Sequence, residues 1–295
     1  MSAGAASAGE VDRPAALHPV SDPDDPRLAD YAALTDAALR KRYEHQQGVL
    51  IAEGPEPVRA LVSSPYPVRS VLVAADRLET IGDVVAAVDA PVYVVSQRLL
   101  ERVVRFRLHQ GVLACGGRLP PLTLGQVLAG ARRLLVLEGL NDHENLGALF
   151  RTARAFGIDG VLLTPGCADP LYRRSVRVSM GHVLHVPMAR TGPVTDLLTS
   201  LAARGITTVA LTPASGALEL AALPVGPGPV ALLLGAEGPG LSQAALHAAT
   251  HRVRIPITTD VDSLNVAAAG AIACYALATA PGQQVSQPAG APRDG

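Results

Sequence analysis

The chain alternates between short, continuously hydrophobic runs and longer amphipathic segments. Hydrophobic runs rich in β-branched residues predict strands that are covered on both faces, because such strands have no polar side. The intervening segments, such as PEPVRALVSS at 55–64, predict helices with proline in the first turn. The strands predicted in the first part are residues 48–54, 68–75, 91–96 and 111–117. Strands that alternate with helices predict an α/β fold and favour parallel pairing.

A second alternating series follows a segment with two adjacent prolines, RLPPLTLGQVLAGA at 118–131, which breaks the rhythm and predicts a linker. The strands predicted in this series are residues 133–139, 159–165, 182–187, 207–213, 230–235 and 251–257. The alanine-rich segment 265–280 predicts a final helix with a long apolar face.

The two ends of the chain differ in composition from the rest, because they are rich in Ala, Gly, Ser, Pro and polar residues. We expect five segments. They are a flexible leader at 1–26, a first α/β domain at 27–117, a linker at 118–132, a second α/β domain at 133–280 and a flexible tail at 281–295.

Composition narrows the class of protein. The chain has 295 residues, 48% of them hydrophobic, which is enough for two modest cores. No run of 18 apolar residues occurs and the first 20 residues contain no apolar core of a signal peptide, so we expect no membrane span and a cytoplasmic location. The three cysteines, Cys115, Cys167 and Cys274, lie far apart, which favours free buried thiols and predicts no metal site.

The net charge of −1 neither favours nor excludes a nucleic-acid partner, but the arginines are clustered. Residues 98–118 contain Arg98, Arg102, Arg105, Arg107 and Arg118 against the single acid Glu101. A second cluster comprises Arg151, Arg154, Arg173, Arg174 and Arg177. Guanidinium groups bind phosphate bidentately, which favours a nucleic-acid partner. Lys41 is the only lysine, however, so arginine also supplies the ordinary solvated cations of the surface. Charge alone leaves both interpretations open.

Ligands in parallel sheets bind beyond the carboxyl ends of the strands, and three loops there are unusual. The first, NDHENLGALFRTARAFG at 141–157, runs from polar residues into a helix that we expect to begin at Gly147. Asn145 can cap that helix, and Arg151 follows on its first turns. The alternative is that Asn145 is merely a cap and Arg151 a solvated cation.

The second loop, GAEGPGLS at 235–242, combines three glycines with a proline, so a ligand can approach bare backbone. Glu237 within it is either an exposed loop acid or a fixed carboxylate in a site. The spacing GxxGxG differs from the GxGxxG of dinucleotide sites, which disfavours a nucleotide-dependent oxidoreductase.

The third loop, IPITTDVDSLNVAAAG at 255–270, leads into the last helix, with Ser263 or Asn265 as the cap. Taken together and in this order, the three loops resemble the motifs of the SpoU branch of the SPOUT RNA methyltransferases, over roughly residues 133–280. The upstream segments GVLIAEGPEPVRALV at 48–62 and HQGVLA at 109–114 are similar to the small substrate-binding domain that often accompanies these enzymes.

The resemblance implies a SPOUT-type domain with a trefoil knot within roughly residues 205–275, preceded by a small α/β RNA-binding domain. It implies a homodimer with the active site at the subunit interface. It further implies S-adenosylmethionine as cofactor and methylation of a ribose 2′-hydroxyl in structured RNA. The residues that match cofactor-binding positions are Leu211, Thr212, Gly235, Ile255 and Leu264.

The residues that match catalytic positions are Asn145, Arg151, Glu237, Ser263 and Asn265. A guanidinium group is effectively always protonated, so our hypothesis is that Arg151 grips the adjacent phosphate and stabilises developing alkoxide charge, while water or Glu237 takes the proton. We expect Arg173, Arg174 and Arg177 to bind RNA. Many relatives have proline in the first loop where this chain has His143 and Glu144, to which we assign no catalytic role.

The appended first domain favours ribosomal over transfer RNA as the substrate. A non-catalytic RNA-binding or assembly factor with the same fold is the alternative from another class, and the complete set of catalytic-position residues counts against it.

Overall fold

The structure is a computed structural model that describes residues 16–258 and 260–280, except the side chains of residues 37–41. The chain divides into two compact units between Arg118 and Leu119. Residues 1–15 of the expected leader and the whole expected tail lie outside the described residues. Of the described residues, no helix is both long and apolar enough to cross a membrane.

The first unit is a five-stranded sheet with helices packed against it. Its elements are β1 (Leu17–Pro19), α1 (Ala37–Gln46), β2 (Val49–Glu53), α2 (Pro55–Val62), β3 (Val68–Ala74), α3 (Gly82–Ala87), β4 (Val92–Val95), α4 (Gln97–Val104) and β5 (Val112–Gly117), with 3-10 turns at Pro26–Tyr31 and Ala75–Ile81. The strand order is β1-β4-β3-β5-β2. The four strands predicted in this region are confirmed.

The expectation of parallel pairing is only partly right in this unit, because β5 runs antiparallel to both β2 and β3. The Gln97 side chain at the start of α4 donates a 2.9 Å hydrogen bond to the carbonyl of Leu108. Val112 at the start of β5 pairs with Val73, near the end of β3, so the chain enters β5 at the edge where β4 also ends and runs back in the opposite direction.

The expected leader is wrong at its carboxyl end, because residues 17–19 form a strand that pairs parallel with β4. The polar and proline-rich composition of the leader concealed this strand. The following 3-10 turn buries Leu28 and Tyr31, and the Tyr31 hydroxyl donates to the carbonyl of Ser70 at 2.9 Å. Residues 17–31 are therefore part of the first unit, and Val20, Leu28 and Tyr31 lie in its core.

The second unit is a seven-stranded sheet of parallel strands in the order β10-β12-β9-β11-β6-β7-β8. Its elements are α5 (Leu124–Leu128), β6 (Arg133–Glu138), α6 (His143–Ala155), β7 (Gly160–Leu163), α7 (Arg173–Val178), β8 (Met188–Arg190), α8 (Val194–Ala202), β9 (Thr207–Leu211), β10 (Leu218–Glu219), β11 (Val230–Gly235), α9 (Gln243–Ala248), β12 (His251–Arg254) and α10 (Val266–Thr279), with 3-10 turns at His182–His185 and Leu220–Ala222.

Two expectations for this unit need correction. The segment 118–132 is not a plain linker, since it contains α5, capped by Thr123, and buries Val127 in the core of the second unit. The strand expected at 182–187 is instead a 3-10 turn followed by β8. Gly181 adopts a left-handed conformation with φ of 78°, which turns the chain into a helical turn before the strand begins.

The parallel arrangement places the carboxyl ends of β6, β9, β11 and β12 at one edge of the sheet. The three loops that the sequence singles out follow β6, β11 and β12. The remaining predicted strands of this unit and the final helix are confirmed, with differences of at most three residues at their ends.

Candidate functional site

A cavity of about 520 Å³ opens at this edge of the second sheet. The loops after β9, β11 and β12 form its walls. All five residues predicted to bind cofactor line it: Leu211, Thr212, Gly235, Ile255 and Leu264. Three of the residues predicted to be catalytic, Glu237, Ser263 and Asn265, also line it.

The glycine loop is folded against itself. The Gly240 amide donates a 2.9 Å hydrogen bond to the carbonyl of Ala236, which closes a tight turn. A Cβ atom at Gly235 would overlap the backbone of Gly240 and Leu241, so only glycine fits at the point where β11 enters the turn. The turn therefore presents backbone to the cavity.

Asn265 joins the three loops. Its Nδ2 atom donates to Asn145 Oδ1 and to Glu237 Oε1, both at 2.9 Å. Its Oδ1 atom accepts hydrogen bonds from the amides of Ala267 at 2.9 Å and Ala268 at 3.2 Å, and so caps α10. Of the two caps proposed for the last helix, the structure selects Asn265. Glu237 is both exposed and held in place, which combines the two interpretations of this residue.

The first loop differs from expectation in its cap. Helix α6 begins at His143, four residues before Gly147, and Asp142 is its cap, with Oδ1 accepting from the amides of Glu144 and Asn145. Asn145 therefore lies within the first turn, and its side chain is available to Asn265. Asp is a preferred cap residue, so the Asp at 142 was the signal that the sequence reasoning missed.

Sequence reasoning missed two further features of the site. Glu138, the last residue of β6, accepts a 2.9 Å hydrogen bond from the Ser242 amide and thereby ties the first strand end to the glycine loop. The apolar side chains of Leu246 and Ile257 line the cavity. In sequence these two residues are indistinguishable from core residues, so no pattern signals them.

The two residues that replace the family's usual pattern connect α6 to α7. The His143 ring packs on Tyr172 with centroids 4.6 Å apart. Glu144 accepts a 2.9 Å hydrogen bond from Arg174 Nε, and both side chains are about half exposed. Exposed ion pairs of this kind contribute ~0–1 kcal/mol, so Glu144 positions Arg174 more than it stabilises the fold.

Arg151 lies outside the cavity lining, exposed on α6, and among the described residues its guanidinium has no hydrogen-bond or ion-pair partner. The pKa of His182 is lowered, mainly by burial and to a smaller extent by its electrostatic interactions with Arg151, Arg154 and His185. The other predicted RNA-binding arginines, Arg173 and Arg177, lie on α7 with Arg174.

The cysteines are free and buried, as predicted. Burial raises the pKa of the Cys274 thiol to about 12, so this thiol stays protonated. The described part of the chain contains no group of three or more His, Cys, Asp or Glu side chains arranged to hold a metal ion.

The second unit is an α/β fold with a cavity at the carboxyl edge of a parallel sheet, and known proteins share the fold. The model of the SpoU rRNA methylase family matches residues 132–275. A tRNA/rRNA methyltransferase of Mycobacterium tuberculosis, itself uncharacterised, is 46% identical over 258 residues, which cover 87% of this chain and 90% of that protein.

Two further relatives cover most of both chains. The Bacillus subtilis 23S rRNA (guanosine-2′-O)-methyltransferase is 28% identical over 80% of this chain and 91% of its own length. The crystal structure of an AdoMet-bound rRNA methyltransferase from Sinorhizobium meliloti matches with a TM-score of 0.75 and 25% identity, over 88% of this chain and 97% of that one. The chain therefore belongs to the SpoU family of RNA methyltransferases, as its motifs predict.

Proposed function

We propose that this protein transfers the methyl group of S-adenosylmethionine to the 2′-hydroxyl of a ribose in structured cytoplasmic RNA, with ribosomal RNA as the preferred substrate. The observation that carries the proposal is the bonding of Asn265 to Asn145 and Glu237 beside the cavity, since it joins the three family motifs in one site.

The cavity suits S-adenosylmethionine. Its volume of about 520 Å³ lies within the usual range for small-molecule sites, ~300–1,000 Å³. Leu211, Ile255 and Leu264 offer apolar walls for an adenine ring, and Gly235 also lines the cavity. The bound cofactor supplies a methyl group activated by a positively charged sulfonium. The AdoMet in the Sinorhizobium meliloti relative supports this assignment.

Asn265 and Asn145 position the loops, while Glu237 keeps one carboxylate oxygen available for a proton. Glu237 Oε1 accepts from Asn265, whereas Oε2 has no partner among the described residues. Arg151 serves as a phosphate grip and a stabiliser of developing alkoxide charge. The proton of the 2′-hydroxyl passes to Glu237 or to water, and Ser263 lines the same space.

A homodimer would complete the site. Arg151 is absent from the cavity lining of its own chain, and α10 exposes Ile272 by 42% and Tyr275 by 59% on one face. Large exposed apolar side chains on a helix favour a protein interface. We assign this face to a second copy, with Arg173, Arg174 and Arg177 contacting the RNA.

The strand order supports the trefoil knot. Strand β11 lies between β9 and β6, and β12 then pairs with the far side of β9. After β12 the chain returns towards β11 and α6. This return is seen at Gly270 of α10, which packs against Leu149 of α6 and Leu234 of β11. We propose that this return passes through the loop that forms the knot.

The test is methyl transfer from labelled S-adenosylmethionine to separate ribosomal and transfer RNA pools, read by nucleoside mass spectrometry. A 2′-O-methylated nucleoside in the ribosomal pool is the expected result, consistent with the name of the Bacillus subtilis relative. Methylation of transfer RNA alone would identify transfer RNA, and not ribosomal RNA, as the substrate. Cofactor binding without transfer to either pool would favour a non-catalytic RNA-binding role.

A further inference from the structure

Helix α4 of the first unit carries arginine on the face opposite the core. Leu99, Leu100, Val103 and Val104 are buried in the first unit's core. Arg98 and Arg102 on the helix and Arg105 at its end are exposed. Their spacing of four and three residues places them on one face, along about 10 Å of helix axis. Arg107 extends this exposed set beyond the helix end.

These four guanidinium groups have no hydrogen-bond or ion-pair partner anywhere in the described part of the chain. Some other arginines have acidic partners: Arg59, for example, binds Asp83 at 2.7 Å and Glu56 at 2.7 Å. The nearest acid in sequence, Glu101, instead accepts a 2.9 Å hydrogen bond from Gln97. No described residue of the unit therefore forms an ion pair with these four arginines.

The structure separates these arginines from the fifth member of the sequence cluster. Arg118 Nε donates a 2.7 Å hydrogen bond to the carbonyl of Val49, and Nη2 lies 3.9 Å from the buried carboxylate of Glu44. Arg118 is a structural residue, so the cluster available to a partner comprises Arg98, Arg102, Arg105 and Arg107.

Arg105 stands where helices usually end in glycine. It adopts a left-handed conformation with φ of 64° and ψ of 30°, which costs a residue with a side chain free energy that glycine avoids. Its guanidinium forms no hydrogen bond or ion pair with the described residues that offsets this strain. Unfavourable backbone geometry retained at an exposed cation indicates a role outside the fold.

We propose that Arg98, Arg102, Arg105 and Arg107 form a second RNA-binding surface, the α4 surface, which grips the phosphate backbone of the substrate. This proposal rests on the proposed function, which supplies the RNA. Arginine forks pair bidentately with phosphate, and phosphate contacts hold an RNA without reading its bases. No large apolar side chain is exposed among the described residues of α4, which disfavours insertion into a lipid surface.

The test uses the full chain with Arg98, Arg102 and Arg105 all replaced by glutamine. Affinity for purified 23S ribosomal RNA is measured by filter binding between about 0.05 and 0.5 M salt, a range that spans roughly one decade of salt concentration. Loss of three phosphate contacts lowers the magnitude of the log–log salt slope by about 2 and the affinity at 0.1 M salt by about 100-fold. Arg204→Gln, which removes an exposed arginine bonded to its own helix at Ser200, is the matched control.

A second variant distinguishes a loss of RNA binding from a loss of folding. Arg105→Gly relieves the backbone strain, so its Tm equals or exceeds that of the wild type, while its RNA affinity falls about fivefold at 0.1 M salt. The triple lysine variant retains the charge and keeps a salt slope close to that of the wild type.

Wild-type RNA affinity and salt slope in both the triple glutamine variant and Arg105→Gly would overturn the proposal. Loss of binding to phosphatidylserine vesicles, with RNA binding unchanged, would overturn it in favour of a membrane surface. S-adenosylmethionine binding is measured in parallel and stays unchanged. Failure of the proposed function is a separate result, namely no methyl transfer by the wild type.

Discussion

The cavity edge of the second unit and the α4 surface of the first unit use polar side chains in opposite ways. At the cavity, the donor and acceptor atoms of Asn265 are all bonded to this chain's own groups, Asn145, Glu237 and the first amides of α10. On α4, Arg98 and Arg102 keep their guanidinium groups free of any described partner.

The difference separates two roles: positioning, in which a side chain holds other groups of the protein in place, and gripping, in which it binds an external phosphate. Groups that are bonded before a ligand arrives hold their geometry at no further entropic cost, which favours catalysis. Unpaired arginines keep their full donor capacity for an external phosphate, which favours affinity and salt dependence. Arg151 is unpaired like the arginines of α4, but its proposed role includes stabilising alkoxide charge, so it provides the first way to test the comparison.

Arg151→Gln has the largest expected effect on the rate. Loss of a cation aimed at developing negative charge lowers kcat by ~100–1,000-fold, while S-adenosylmethionine affinity is unchanged because Arg151 lies outside the cavity lining. Arg154→Gln, an exposed arginine on the same helix, is the control and retains activity. Full activity in Arg151→Lys would contradict a bidentate grip on phosphate.

Gly235→Ala displaces the loop that the Asn265 contacts hold. Since a Cβ atom there overlaps the backbone of Gly240, the turn must shift, and methyl transfer falls about 100-fold with a matching loss of cofactor affinity. Gly125→Ala adds the same atom where nothing lies within 4 Å and leaves both properties unchanged. Calorimetric titration with S-adenosylmethionine measures the effect, and unchanged affinity in Gly235→Ala would exclude this cavity as the cofactor site.

Asn265→Asp divides the two roles of Asn265. An aspartate still caps α10 but cannot donate to Asn145 or Glu237, so the cap is kept while two hydrogen bonds are lost. At ~0.5–1.5 kcal/mol each, their loss lowers kcat/KM by ~10–100-fold. Asn265→Ala removes the cap as well and lowers stability by ~1 kcal/mol further. Full activity in Asn265→Asp would mean that the three-loop contact serves the fold alone.

The smallest effect concerns His182 and pH. Its pKa lies below the ordinary value of 6.5 because it is partly buried near Arg151, Arg154 and His185. The unfolded chain therefore binds a proton more readily, and stability falls as the pH drops from above 6.5 through the folded pKa. Urea unfolding of the wild type and His182→Gln at neutral and acidic pH measures this change, and the variant loses less stability on acidification. An equal loss in both proteins would show that His182 is not responsible.

Much of the fold could be predicted because buried strands are recognisable as continuous apolar runs. The strand at 230–235 has the same bounds in the structure as in the prediction. Strand β1 could not be found, since it is three residues long in a polar segment and exists only through its pairing with β4. The error at 182–187 has a similar cause: Val183 and Leu184 are apolar in either conformation, and the turn at Gly181 decides between them.

The candidate site was predictable only through the resemblance. Asn265 and Asn145 are 120 positions apart, and no local pattern indicates that they bond. The division within the first arginine cluster was hidden for the same reason, because Arg118 differs from Arg98 in its tertiary contacts with Val49 and Glu44. Local sequence gives the type of side chain, whereas the fold decides whether it has a partner.

The most direct test of positioning against gripping is single-turnover methyl transfer measured as a function of RNA concentration. We expect the α4 triple glutamine variant to need far more RNA for half-maximal rate but to reach the wild-type rate at saturation. Asn265→Asp is expected to saturate at the wild-type RNA concentration and to remain slow. A triple variant that stays slow at saturating RNA, or an Asn265→Asp protein that recovers there, would contradict the account.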